Sequence, residues 1–158
     1  MNSHHTVAIG TWEGDKQQSI EYNSSIAVGI DCPRAKLRVS ILLDTIQEYQ
    51  VRYIFSDEEI SEAVNEAGLI IGARGIAYEG VLQRKPVIVV REYGFGGLVT
   101  PDTLHEQYNN YFRGKINGIK AEYFSLERLE EEIRRGFALT FQELQMMSNQ
   151  TIRFLHNI

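Results

Sequence analysis

Gly72-Ala-Arg-Gly75 separates two apolar runs, Leu69–Ile71 and Pro86–Val90, and its residue types suit a phosphate ligand. Gly72 and Gly75 carry no Cβ, so a ligand could approach the main chain closely. Arg74 between them offers a guanidinium fork that matches phosphate oxygens. A helix beginning behind the turn would add free N–H groups and the positive end of its dipole. Glu79 falls about one turn into that helix, where a carboxylate can accept hydrogen bonds from ribose hydroxyls. The same residues also fit a plain reading: tight-turn glycines, a surface arginine and a solvated helix face. The turn is neither G-x-G-x-x-G nor a P-loop, so by itself it names no nucleotide.

Few other residues offer chemistry. Glu92–Pro101 holds Gly94, Gly96 and Gly97 between Tyr93 and the rest of the stretch, and reads as a loop. Tyr93 and Phe95 there could cover a base or sugar, or pin the loop to the core. Trp12 has the same two readings, core or stacking platform. His105 belongs to a helical pattern and has no second His or Cys at ligand spacing, so no zinc site is expected. Asp57-Glu58-Glu59 reads as helix N-terminus chemistry, and Glu130-Glu131-Glu132 with Arg134-Arg135 as a solvated helix face. No D-x-D metal-diphosphate motif and no G-x-S-x-G elbow occur. No catalytic residue can be assigned from these patterns.

The elements that must position the turn follow from apolar periodicity. Strands are expected over His5–Gly10, Ser25–Ile30, Val51–Phe55, Leu69–Ile71 and Pro86–Val90, with a short helix over Asp15–Asn23. Val39, Leu42, Leu43 and Ile46 give one helical face between Arg34 and Gln50. Ser56-Asp-Glu-Glu59 is an S-x-x-E capping box ahead of a stripe of Ile60, Ala63, Val64 and Ala67. Helices are expected from Ile76 to about Arg84 and over Asp102–Phe112, with loop or one short strand over Arg113–Glu122. Ser125 caps a final helical region, about 125–156, in which Phe137, Phe141, Leu144 and Met147 keep helical spacing. Strands alternating with helices predict an α/β fold, a doubly wound parallel sheet of Rossmann-like type.

Bulk properties narrow the class. At 158 residues, with 43% apolar content, the chain suits one domain spanning 1–158. A net charge of −5 and the absence of a basic stripe argue against nucleic acid as a partner. One cysteine, Cys32, excludes an intrachain disulfide framework. No apolar run is long enough to span a bilayer and no secretory leader pattern is seen, so a cytoplasmic protein is expected.

The stretch Phe55–Pro101 resembles the C-terminal, donor-binding half of GT-B glycosyltransferases, and a looser likeness extends over Ser25–Phe137. The likeness rests on Ala67-Gly-Leu-Ile-Ile-Gly and on Gly75-Ile-Ala-Tyr-Glu-Gly-Val-Leu-Gln-Arg-Lys-Pro-Val-Ile-Val. The resemblance implies a nucleotide-sugar donor held by Gly72, Arg74, Gly75, Glu79, Lys16, Gly96 and Gly97. Glu79 would take the ribose-binding place, and Gly75 would lie near the turn facing the diphosphate. Gly10–Lys16 is similar to the family's first loop, and Tyr93–Pro101 to a loop after the strand. Lys16 and Arg74 would offset leaving-group charge without a metal, and no cofactor beyond the nucleotide sugar is implied. Departures exist: Gly72 stands where retaining members place an acid, Thr11 where the first loop has Arg, and Gln83-Arg84 where a small residue and Gly are usual. A GT-B enzyme has two such halves, so the implied partner is an acceptor-binding domain, in the same parent chain or a second subunit. A further copy of this chain is another partner to weigh. Two other readings stand beside it: a non-catalytic nucleotide- or protein-binding module, and half of a nucleotide-sugar epimerase.

Overall fold

A computed structural model describes residues 4–13, 16–91, 94–114, 119–120 and 123–156, with side chains from residue 23 onward. Five strands form one sheet: β3 (Ile26–Gly29), β4 (Val51–Tyr53), β5 (Leu69–Gly72), β6 (Val87–Arg91) and β7 (Gly94–Leu98). Their spatial order is β4-β3-β5-β6-β7, and the first four are mutually parallel while β7 runs antiparallel to β6. The fold is therefore a mixed α/β fold.

Alternation along the strands divides the core between two faces. Ile26, Val28, Leu69, Ile71, Ile88 and Val90 face α1 (Pro33–Ile46) and α5 (Leu126–Phe137). Ala27, Ile70, Val87 and Val89 face α2 (Ile60–Glu66), α3 (Gly75–Leu82), α4 (Leu104–Asn109) and α6 (Phe141–His156). Being covered on both sides explains why Leu69–Ile71 reads as an unbroken apolar run rather than an alternating one. Each such aliphatic side chain contributes roughly 1.5–3 kcal/mol by leaving water.

Local signals hold where they are mechanistic. The Glu59 carboxylate accepts hydrogen bonds from the N–H groups of Phe55 (3.0 Å) and Ser56 (3.4 Å), closing the capping box over a 3₁₀ turn, Asp57–Glu59. The Phe55 N–H, above all, holds the Glu59 carboxyl below the usual carboxylate range. Ser125 Oγ accepts from the Arg128 N–H at 3.1 Å, capping α5 as its type predicts.

Three sequence expectations require correction. Asp15–Asn23 is not a helix: Lys16–Asn23 forms strand β2, antiparallel to β1 (His4–Glu13) in a separate two-stranded sheet. The apolar residues of this stretch, Ile20 and Tyr22, are two apart, which is a strand's period and not a helix's. The glycine-rich stretch after β6 is not a loop from residue 94 on but edge strand β7. The final helical region, about 125–156, is two helices, because α5 ends and α6 begins at a new cap. There the Thr140 hydroxyl accepts from the Glu143 N–H (3.1 Å) while Glu143 accepts from the Thr140 N–H (3.0 Å). Finally, Glu132 is not on a solvated face. It is 2% exposed, bridged by Arg128 (3.0 Å) and Arg135 (3.3 Å), and accepts from the Leu98 N–H of β7 at 3.1 Å.

Candidate ligand-binding edge

The chain runs from β3 outward to β4, then crosses back to place β5 on the other side of β3. That reversal makes a switch point between β3 and β5, and open α/β sheets bind ligands outside the carboxyl ends of strands at such points. Gly29 and Gly72 are paired there, with the 30–32 connection to α1 on one side and the 73–74 turn into α3 on the other.

The glycines at this edge have different causes. A Cβ on Gly72 would lie 2.6 Å from the Gly29 carbonyl oxygen and 2.6 Å from Ile76 Cγ2. A Cβ on Gly29 would lie 2.6 Å from Ile76 Cδ1. Both are glycine because Ile76, 3% exposed, packs over the switch point. Gly75 is different. A Cβ there would meet nothing within 4 Å among the described residues, and its φ is not in the left-handed region, so neither their packing nor backbone geometry demands glycine.

Between them Arg74 has φ 59° and ψ −124°, on the side of the map that L-residues avoid. Such a conformation costs on the order of 1–3 kcal/mol and persists only when neighbours enforce it. Here the Arg74 N–H donates to the Phe112 carbonyl at 2.9 Å, and Phe112 is fully buried. The strand-to-helix turn is thus sharp, its main chain tied inward and its guanidinium exposed.

Glu79 is half-buried on α3, and its Oε1 accepts from Gln83 Nε2 at 2.8 Å, which also donates to the Ser61 carbonyl of α2 at 3.2 Å. Behind the turn, Tyr78 packs with Tyr108 and Phe112, ring centroids 6.2 and 6.0 Å away. Burial first, and the neighbouring Tyr108 second, push the Tyr78 phenol above its ordinary range.

Gly72, Arg74, Gly75 and, one turn on, Glu79 are therefore brought together. Gly96 and Gly97 are not. They lie within β7, where Val89 pairs with Gly97 and Val90 with Phe95, so Gly96 is the extra residue of a bulge. Gly97 has φ +76°, and Gly96 packs against Val89 and Gln107, whose Nε2 donates to the Gly96 carbonyl at 2.9 Å. The sheet explains both glycines. Lys16 lies on β2 opposite Glu13, so Gly10–Glu13 and Lys16 belong to a hairpin and not to a loop after the sheet's first strand. Tyr93 falls outside the described residues. Phe95 is buried and stacked on Phe124 with centroids 5.1 Å apart, which is the core-pinning alternative. His105 is exposed, its ring 5.6 Å from that of Phe154.

Sequence reasoning passed over Phe112, whose carbonyl holds the Arg74 N–H, because that contact joins segments remote in the chain. Among the described residues no group of three or more His, Cys, Asp and Glu side chains could hold a metal ion, and no helix is long and apolar enough to cross a membrane. No family's sequence pattern, no curated protein and no solved structure matches this chain.

Proposed function

We propose that the chain is a nucleotide-sugar donor-binding domain of a glycosyltransferase, a doubly wound, Rossmann-like GT-B half that acts with a separate acceptor-binding half. The observation that carries this reading is Gly75. Nothing among the described residues requires glycine there, and a ligand approaching the main chain beside Arg74 would. Arg74 would take phosphate charge as it grows on the leaving group. Glu79 keeps Oε2 for a ribose hydroxyl while Gln83 orients Oε1. The general base would come from the acceptor half.

A specific observation favours the second reading, a non-catalytic module. Gly72 stands where an acid is needed in retaining enzymes, and its packing against Gly29 and Ile76 leaves no room for one. Half of a nucleotide-sugar epimerase is a third reading with the same architecture.

Thermal shift with UDP, GDP, ADP and their sugar conjugates tests the first reading, since a ligand of the native state raises the melting temperature by mass action. A rise for one nucleotide that disappears in Glu79→Ala is the expected result. Absence of a rise for every nucleotide, with or without an acceptor-half partner, rejects it in favour of the module.

A further inference from the structure

We infer that the outward face of α6 is an interface, and that its occupant is the same face of a second copy of this chain, packed antiparallel about a two-fold axis. Neither the face nor its occupant depends on the donor-binding reading.

Burial fixes how α6 is turned. Met147, Ser148 and Thr151 are buried, and Ser148 Oγ donates to the Leu82 carbonyl of α3 at 2.8 Å. On the other side Gln142, Gln145, Met146, Asn149, Gln150 and Arg153 line a shallow groove along the helix. Spacings of three and four positions bring these residues onto one face. Phe141 and Ile152 are exposed along one flank of it.

What sets this face apart is its lack of charge. Every exposed residue of α5 is charged: Glu127, Arg128, Glu130, Glu131, Arg134 and Arg135. The exposed residues of α1 include Arg34 and Asp44. No exposed residue of α6 is Lys, Asp or Glu, and its one formal charge is Arg153. Interfaces are depleted of those three types and enriched in aromatic residues, Met and Arg, which Phe141, Met146 and Arg153 supply.

The same chemistry selects the occupant. A helix lying on a bilayer is rich in Lys and Arg beside its apolar stripe, and a single Arg does not meet that need. A strongly charged protein face would find almost nothing here to pair with. Amide side chains both donate and accept, so a neutral amide face complements a copy of itself. An antiparallel pair centred between Met147 and Ser148 sets Gln145 opposite Gln150 of the second copy, Met146 opposite Asn149 and Gln142 opposite Arg153. It also brings Arg153 beside Glu143 of the second copy, whereas within one chain the two are about 15 Å apart along the helix. Among the described residues Arg153 has no ion-pair partner of its own. One helix face supplies fewer residues than the roughly 20–30 a side of a standard interface, so the dimer is weak and concentration-dependent.

Sedimentation equilibrium of the full chain, from low micromolar to millimolar concentration, tests this pairing. A monomer–dimer equilibrium is expected, with its dissociation constant raised at least about tenfold by Met146→Glu, which sets like charges near the axis. Gln142→Arg is expected to weaken the dimer by facing the second copy's Arg153, and adding Arg153→Glu to recover it. Those two positions are too distant within one helix to compensate each other, so recovery reports the antiparallel pairing. All three residues are exposed, and unchanged melting of the dilute variants shows that folding is intact. A chain that stays monomeric at millimolar concentration overturns the inference. So does a dimer indifferent to Met146→Glu, or one that the double variant fails to recover. Flotation with phosphatidylglycerol vesicles that Met146→Glu abolishes, without self-association, overturns it in favour of a membrane.

Discussion

Two glycines of one turn, Gly72 and Gly75, have opposite reasons to exist. A Cβ at Gly72 would come within 2.6 Å of main chain and of Ile76, neither of which can retreat easily. Gly72→Ala is therefore expected to lower unfolding stability in denaturant titration by about 1–3 kcal/mol, the usual cost of overpacking. Gly75→Ala meets open space and replaces glycine in a helix, so a stability gain of about 0.5 kcal/mol is expected. Under the donor reading the added methyl weakens nucleotide binding about tenfold, as overpacking a ligand contact would. A Gly75→Ala chain that is less stable, or that binds as before, would show that the glycine answers to something other than a ligand. Arg74 carries the opposite bargain, since its backbone conformation costs stability that its exposed side chain does not recover inside the fold.

Edge strands need their free N–H and C=O groups managed, and β7 is managed by its neighbours. Leu98 N–H donates to Glu132, Phe95 N–H to the Ile119 carbonyl, and the Gly96 carbonyl accepts from Gln107. Glu132 is the central member because it also collects Arg128 and Arg135 from its own helix. Both arginines remain about half exposed, so water screens part of each pair. Glu132→Ala still leaves the Leu98 N–H without its partner. A loss of about 2–3 kcal/mol is expected by thermal or denaturant unfolding, with faster hydrogen exchange at Leu98. Equal exchange in the variant would mean that β7 is held by its pairing with β6 alone. After α3, Arg84 adopts φ 61° at the position where the resembled family has glycine, a conformation that favours glycine at a helix end.

The molecule consists of a five-stranded α/β unit and an N-terminal hairpin that contributes no strand to it. Removal of residues 1–22 is accordingly expected to leave cooperative unfolding with a melting temperature within a few degrees of the full chain. Loss of cooperativity would show that the hairpin completes the core.

Elements whose causes are local were legible in the sequence. The apolar run of β5, the stripe of α1 and the caps at Ser56 and Ser125 depend on residues within a few positions of one another. Thr140-Phe-Gln-Glu143 was legible too, and apolar spacing across Ala138–Thr140 obscured it. Gly72, Arg74 and Gly75 share a turn because four successive residues must. Longer-range facts required the structure. Glu132 looks like its neighbours Glu130 and Glu131 until β7 presents the Leu98 N–H to it. Gly96 and Gly97 look like a ligand loop until β6 pairs with them and imposes a bulge. The backbone conformation of Arg74 acquires a cause only when buried Phe112 presents its carbonyl to the Arg74 N–H. Sequence alone determined the strands and helices whose periodicity and capping act within a turn or two, such as β5, α1 and α5, but not β2 or β7. Only tertiary structure decided which charges are neutralised and which glycines answer to packing, because those depend on partners brought together from remote parts of the chain.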